Sequence, residues 1–152
     1  MSHLDLIVLV NRPQSDVYDY LADPYNLSAL NPRLSSINLR KKTTNEQGVT
    51  ILSSEATVMF RLLGISLVRR RIYVDQLLTR PPDEMEHSAH STWGTNVQTL
   101  YQVRPEGNAT QVKIRITVEA AKPWLENFAY ETAVNMQRTS LANLKSLLEG
   151  KV

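Results

Sequence analysis

The sequence predicts an α+β protein in which one antiparallel sheet is covered by a long C-terminal helix. Three observations predict this class: apolar and polar residues alternate through most of the chain, tight turns separate the alternating segments, and only the last segment has an extended helical period. Short strands with tight connections indicate an antiparallel sheet with one buried face and one solvated face. The predicted order is β-α-α, then six strands, then a helix, over a single domain of residues 1–152.

The first thirty residues predict one strand and two short helices. Residues 4–10 are apolar and β-branched, and Pro13 follows them in a position that suits the first turn of a helix. This first helix has an apolar side and ends at the Asp-Pro pair 23–24. A second short helix over 25–30 ends at the Asn-Pro pair 31–32, because a residue before proline disfavours the helical conformation.

Six further strands follow from segments with a period of two, which lie at 37–40, 49–60, 66–77, 85–93, 97–103 and 112–118. The last of them alternates without interruption. Its apolar positions are expected to face the helix and its charged positions to face solvent. The apolar set is Val112, Ile114, Ile116 and Val118, and the charged set is Lys113, Arg115 and Glu119.

The final segment predicts one helix that runs unbroken over residues 124–148. At 1.5 Å per residue such a helix is roughly 40 Å long, enough to cross a small sheet. Helical spacing puts one stripe of residues on its inner face: Tyr130, Ala133, Val134, Gln137, Leu141, Leu144 and Leu148. The lower half of this stripe is leucine, whereas the upper half carries Tyr130 and Gln137, with Met136 at its edge. A helix that is apolar at one end and polar at the other is expected to cover a cavity.

Two segments resemble START-like proteins of the SRPBCC superfamily: VNRPQSDVYDYLADPYNLSALNPRLSSINL and PWLENFAYETAVNMQRTSLANLKSLLEG. The matching features are the Arg-Pro turn at 12–13, the Val-aromatic pair at 17–18, and the Asp-Pro and Asn-Pro breaks. Leu30 departs from the pattern, because a tryptophan is common there. The turn Pro81-Pro82 is also similar, and the resemblance covers essentially the whole chain. The polyketide cyclase/dehydrase-like group looks most similar.

This resemblance implies a helix-grip fold, in which a curved seven-stranded antiparallel sheet wraps around the C-terminal helix. It also implies that the cavity between sheet and helix holds a hydrophobic small molecule. The expected ligand is a polyketide, a lipid or an isoprenoid.

Arg70 and His87 are the first two candidates for the chemistry of such a cavity. Strand alternation puts Arg70 on the more apolar face of its strand, where a guanidinium can polarise a carbonyl or bind an enolate or a carboxylate. The alternative is an arginine at the cavity rim that pairs with Glu55 or is simply solvated. His87 shares its apolar face with Met85 and can shuttle a proton, or can simply be a hydrogen-bonded residue of the wall.

Tyr101 is the third candidate, because it faces the same way as Val97 and Val103 on the next strand. With Trp93, Tyr101 could form an aromatic wall, and the Tyr101 hydroxyl could donate to a ligand. Core packing explains both rings equally well. The predicted catalytic residues are therefore Arg70, His87 and Tyr101. The predicted ligand-binding residues are Trp93, Tyr130, Met136 and Gln137.

The composition argues against several other classes of protein. A net charge of +2 does not suggest nucleic-acid binding, and the absence of cysteine excludes disulfides and thiolate metal sites. His87 and His90 are three apart on a strand and face opposite sides, so they cannot share a metal ion. Arg69, Arg70 and Arg71 are likewise split between two faces. No phosphate-binding or dinucleotide motif exists, so neither a metal nor a cofactor is expected.

The expected partner is therefore a hydrophobic ligand or substrate, for a monomer or a homodimer. No basic segment precedes the first apolar run, and no apolar stretch reaches the roughly 18 residues of a membrane span. We therefore expect a cytoplasmic protein without stable membrane insertion.

Three functions fit the sequence. A carrier needs only the cavity, whereas a cyclase, aromatase or dehydratase also needs Arg70, His87 or Tyr101 to converge on a reactive carbonyl. A protein-interaction domain would need a conspicuous exposed apolar patch, which the sequence does not clearly show.

Overall fold

The computed structural model describes residues 2–62, 66–92 and 94–150, and it has the predicted α+β architecture. The elements in chain order are β1 (Ser2–Val10), α1 (Gln14–Ala22), a 3₁₀ turn (Pro24–Asn26), α2 (Leu27–Leu30), β2 (Leu34–Thr44), β3 (Thr50–Leu62), β4 (Ser66–Arg80), β5 (Glu84–Ser91), β6 (Thr95–Glu106), β7 (Ala109–Ala120) and α3 (Pro123–Leu148). The predicted order of strands and helices is therefore confirmed.

The strands form one antiparallel sheet in the order β1-β7-β6-β5-β4-β3-β2. Strands β2 to β7 follow one another as neighbours, while β1 pairs with β7 at the far edge. The two consecutive strands β1 and β2 therefore lie at opposite edges of the sheet. The segment between them, which contains α1 and α2, has to cross from one edge to the other.

The alternation predicted for β7 is confirmed. Its four apolar residues are completely buried, while Arg115 and Glu119 are exposed and Lys113 is partly exposed. On the outer face Arg115 Nε donates to Asp5 Oδ1 of β1 at 2.9 Å, and Lys113 Nζ lies 3.8 Å from Asp5 Oδ2. The register of the β1–β7 pair thus puts apolar side chains in the core and opposite charges side by side on the surface.

Helix α3 packs against β1, β7 and β6. It begins at Pro123, which lacks the N–H that a first helical turn leaves unpaired in any case, and it runs without a break to Leu148. The predicted helix over 124–148 is therefore confirmed. Ala133, Val134, Leu141 and Leu144 are its buried residues.

Two polar contacts fix α3 on the rest of the fold. Lys145 Nζ donates to the carbonyl of Leu9 at 2.7 Å, and Asn143 Nδ2 donates to the carbonyl of Leu30 at 2.7 Å. The first contact joins the end of α3 to β1, and the second joins it to α2. The distal half of the helix is thereby held against the sheet and against the short helices.

Helix α1 is fixed over β4 and β5. Tyr18 is buried, and its hydroxyl donates to the carbonyl of Glu84 at 2.9 Å. The carbonyl of Leu21, in the last turn of α1, accepts from Gln76 Nε2 of β4 at 3.1 Å. Helix α1 therefore ends directly above the centre of the sheet, and α2 continues towards the first half of α3.

We predict that Leu144→Ala destabilises the protein by about 2–5 kcal/mol, because it leaves a cavity in a close-packed core. Leu144 is completely buried between α3 and the sheet. Urea unfolding followed by circular dichroism measures this loss. Leu147→Ala on the exposed side of the same helix is the matched control, with an expected change of about 0.5 kcal/mol or less. Equal losses in the two variants would contradict this packing.

Candidate functional site

A cavity of about 160 Å³ lies between the first half of α3, the short helix α2 and the inner face of β3 to β6. Most of its wall is apolar. Apolar side chains come from both helices and strands, and they include Leu27, Leu30, Val58, Ile72, Val74 and Met136. The strands supply their inward positions, and the helices close the opposite side. A concave, largely apolar space of this kind is typical of small-molecule sites.

One wall of the cavity is polar, and it is formed by β5, β6 and α3. His87 of β5 and Tyr101 of β6 are almost fully buried, and their ring centroids are 4.5 Å apart with the planes tilted by 49°. The Tyr101 hydroxyl donates to Gln137 Oε1 of α3 over 3.4 Å, a long hydrogen bond. Both rings and the Gln137 amide border the cavity.

Behind this wall His87 contacts a residue that sequence analysis did not select. Gln76 is directly opposite His87 in the register of β4 and β5, and its side chain is completely buried. Gln76 Nε2 lies 3.2 Å from His87 Nε2 and also donates to the carbonyl of Leu21. A signal for Gln76 was present in the sequence, because it continues the apolar face of Ile72 and Val74.

Burial keeps both ionisable groups of the wall neutral. Desolvation lowers the pKa of His87 to about 3, and no other cause contributes. Burial raises the pKa of Tyr101 to about 12, against a smaller lowering by the hydrogen bond to Gln137. At neutral pH the wall therefore offers neutral hydrogen-bonding groups. Neither His87 nor Tyr101 offers an imidazolium acid or a base with a pKa near 7.

Arg70 requires a correction. It is exposed and does not border the cavity, and its Nη1 donates to the carbonyl of Arg69 at 3.0 Å. Alternation gave the correct face, because the residue opposite Arg70 is Val58, which does border the cavity. Arg70 lies one step too far along β4, beyond Ile72, so its guanidinium is in solvent. Glu55, its suggested partner, pairs instead with Arg40 and Arg71.

The predicted ligand-binding residues divide into three groups. Met136 and Gln137 of α3 border the cavity. Tyr130 does not: it is partly buried and packs against the hydrophobic core, which corrects the expectation. The cavity-facing residues of α3 run along a neighbouring line that includes Phe128, Thr132 and Ser140. Trp93 lies outside the described residues.

Asn31 is a second residue of the cavity that sequence analysis missed. It is 5% exposed, its Oδ1 accepts from the backbone N–H of Arg33 at 3.1 Å, and its Nδ2 donates to the carbonyl of Met136 over 3.4 Å. Asn31 therefore joins the end of α2 to the first half of α3 at the cavity. The sequence showed it only as part of a helix-ending Asn-Pro pair.

Within the described ranges, no group of three or more His, Cys, Asp or Glu residues is arranged to hold a metal ion. His90 is exposed and contacts Asn96 and Ser88, whereas His87 is buried. The two histidines thus differ in burial, and both border the cavity. No helix in the described part of the chain is both long and apolar enough to span a bilayer.

A family model described as "Polyketide cyclase / dehydrase and lipid transport" matches residues 1–149. A comparison with curated protein sequences finds no match. The family match covers nearly the whole chain and includes every element that forms the cavity.

Solved structures share the fold at low sequence identity. Protein CV1439 from Chromobacterium violaceum is 16% identical with a TM-score of 0.69, over 98% of this chain and 99% of that one. A conserved protein from Geobacillus kaustophilus is 12% identical with a TM-score of 0.74, over 98% and 96%. The di-domain ARO/CYC StfQ of the steffimycin biosynthetic pathway is 12% identical with a TM-score of 0.68, over 98% and 51%.

We predict that burial of His87 makes stability depend on pH in acid. The pKa of His87 is lowered from 6.5 to about 3 in the folded state, so below pH 6.5 the unfolded chain binds the proton and the folded chain does not. The contribution is complete above pH 6.5 and is lost as the pH falls towards 3. Between pH 7 and pH 5 the loss is about 2 kcal/mol.

His87→Gln is the control for this prediction, because it keeps a polar side chain but cannot titrate. Urea unfolding at pH 7 and at pH 5 should show a larger loss of stability for the wild type than for the variant, since the other titrating groups cancel in the comparison. Parallel losses in the two proteins would show that His87 is not held neutral.

Proposed function

Since the chain belongs to the polyketide cyclase/dehydrase and lipid transport family, we propose that it binds an apolar, ring-containing small molecule between the sheet and α3. The observation that carries the proposal is the cavity itself: about 160 Å³, lined mainly by apolar side chains, with His87, Tyr101 and Gln137 together on one wall. Apolar surface removed from water supplies the affinity, and the polar wall orients one or two oxygens of the ligand.

Binding without acid–base chemistry is the function that the electrostatics favour. A general base works best with a pKa near the operating pH, and burial moves the pKa of His87 to about 3. Tyr101, with a pKa raised to about 12, also remains protonated. A ligand therefore meets neutral groups that can hold it by hydrogen bonds. These properties suit a carrier.

Cyclisation or dehydration of a polyketide-like substrate is the second candidate, and one observation supports it. His87, Tyr101 and Gln137 border the same cavity, where neutral donors can stabilise charge that develops on a carbonyl oxygen. The cavity would supply the folded conformation of the substrate. In this scheme Arg70 contacts only a part of the substrate that extends out of the cavity, because its side chain is in solvent.

We predict that Ala129→Trp lowers the affinity for N-phenyl-1-naphthylamine, a neutral ring-containing fluorescent probe, at least tenfold. Ala129 borders the cavity, so an indole at this position occupies the space of the ligand. Ala142→Trp places the same ring on an exposed position of α3 and should leave the affinity unchanged.

Fluorescence titration gives both affinities, and a thermal unfolding curve for each variant shows whether it is folded. Native mass spectrometry of the wild type tests in addition for a co-purified ligand. Unchanged binding by folded Ala129→Trp would place the probe elsewhere on the protein. Failure of the wild type to bind the probe or any co-purified molecule would count against a ligand cavity.

If the protein is a cyclase, His87→Phe and Gln137→Leu should each lower kcat on an aromatic-polyketide precursor thioester by roughly 10²-fold, as expected for a lost donor to an oxyanion. Arg70→Ala should act mainly on KM, because its guanidinium is outside the cavity. Product analysis by liquid chromatography measures turnover. If the wild type gives no cyclised or dehydrated product but binds the precursor, the carrier function stands and the enzymatic one is excluded.

A further inference from the structure

We infer that Gln76 is a positioning residue that fixes His87 in the tautomer with its proton on Nδ1. The cavity therefore prefers apolar ligands whose oxygen only accepts hydrogen bonds, as in a ketone, an ester or an ether. The statement about the ligand rests on the proposed binding function. The statement about the tautomer concerns the unliganded protein and stands on its own.

The orientation of the Gln76 amide follows from its contact with α1. Its Nε2 lies 3.1 Å from the carbonyl oxygen of Leu21, which can only accept a hydrogen bond. This carbonyl is in the last turn of α1, where carbonyls have no partner within the helix. The reversed amide would bring two acceptor oxygens together. The nitrogen of Gln76 therefore faces both Leu21 and His87.

The tautomer of His87 follows from the orientation of that amide. The second hydrogen on Gln76 Nε2 is available to His87 Nε2 at 3.2 Å, so this ring nitrogen has to accept. A neutral imidazole that accepts at Nε2 carries its proton on Nδ1. A second proton is not taken up at physiological pH, because burial lowers the pKa of His87 to about 3.

The resulting Nδ1–H group is available to a ligand. His87 borders the cavity, and its Nδ1 has no hydrogen-bond partner in the described part of the chain. Gln137 adds a second donor: its Oε1 already accepts from Tyr101, which leaves its Nε2 hydrogens for the cavity. The Tyr101 proton is used in that internal contact. The wall thus offers two N–H donors beside the hydroxyl of Thr99, which lies opposite His87 in the β5–β6 register, and these two donors match an acceptor oxygen.

The hydrogen bonding of Gln76 supports a positioning role over simple packing. Its Oε1 is buried and has no partner in the described ranges, while its Nε2 has two. An unpaired buried carbonyl costs free energy that an aliphatic residue at this position would avoid. The amide is therefore retained for what its N–H groups do, which is to hold α1 and His87.

The tautomer is tested by NMR on protein with ¹⁵N-labelled histidine. The wild type should show Nδ1 of His87 as a protonated, pyrrole-like nitrogen and Nε2 as a pyridine-like one. Gln76→Glu, whose carboxylate accepts where the amide donated, should move the proton to Nε2. Gln76→Met, of similar shape, should give a mixture of the two forms. A wild-type ring protonated at Nε2, or a tautomer that is the same in all three proteins, would overturn the inference.

Ligand preference is tested with 1-tetralone and tetralin, which share one bicyclic skeleton and differ in the ketone oxygen. Gln76→Glu, which moves the proton to Nε2, should weaken tetralone binding at least tenfold and change tetralin binding less than twofold, as measured by isothermal titration calorimetry. A purely structural role of Gln76 would weaken both ligands equally and would overturn the preference. If neither compound binds the wild type, the proposed binding function fails with it, while the NMR result still decides the tautomer.

Discussion

The structure depends on one geometric mismatch: a single helix cannot cover a sheet of seven strands. Six strand spacings of about 4.8 Å make the sheet roughly 29 Å wide, whereas a helix with its side chains is about 10–12 Å across. Helix α3 packs on β1, β7 and β6, at one side of the sheet. Beyond them, the inner faces of β3, β4 and β5 are opposite the first half of α3 and the short helix α2, which do not fill the space between. The cavity is the space that this arrangement leaves.

The same mismatch explains where polar residues enter the inner face. Under α3 the inward positions of β7 are all aliphatic and completely buried, as close packing against a helix requires. Towards the cavity the inward positions of β4, β5 and β6 admit Gln76, His87 and Tyr101. Gln76 Oε1 even remains without a partner within the described ranges. Polar groups of this kind cost stability, so their position at the cavity or directly behind it supports the proposed binding of a ligand.

Alternation in the sequence predicted the fold and the side of the strand that most residues face, but it could not predict how deeply a residue is buried. Alternation states which side of a strand a residue faces and not how far along the strand the cavity extends, so it selected Arg70, which lies in solvent past Ile72. The predicted stripe on α3 likewise did not separate residues of the core from residues of the cavity, because the two sets are neighbours on the helix. Tyr130 belongs to the core. The pairing of Gln76 with His87 depends on the register between two strands, which no pattern within either strand contains.

The depth at which a side chain is buried also determines which chemistry it can perform. A histidine on a strand suggests proton transfer as long as its pKa is near 6.5, and burial moves that of His87 to about 3. The ionised groups of this side of the molecule stay outside, where water solvates them: Arg70 at the end of the cavity-facing row of β4, and Arg71 beside Glu55 on the other face. The charged groups on this side of the molecule thus lie at the surface, whereas the polar wall of the cavity carries hydrogen-bonding groups. For the proposed ligand, charged groups would remain at the surface, and the interior would distinguish shape and the direction of a hydrogen bond.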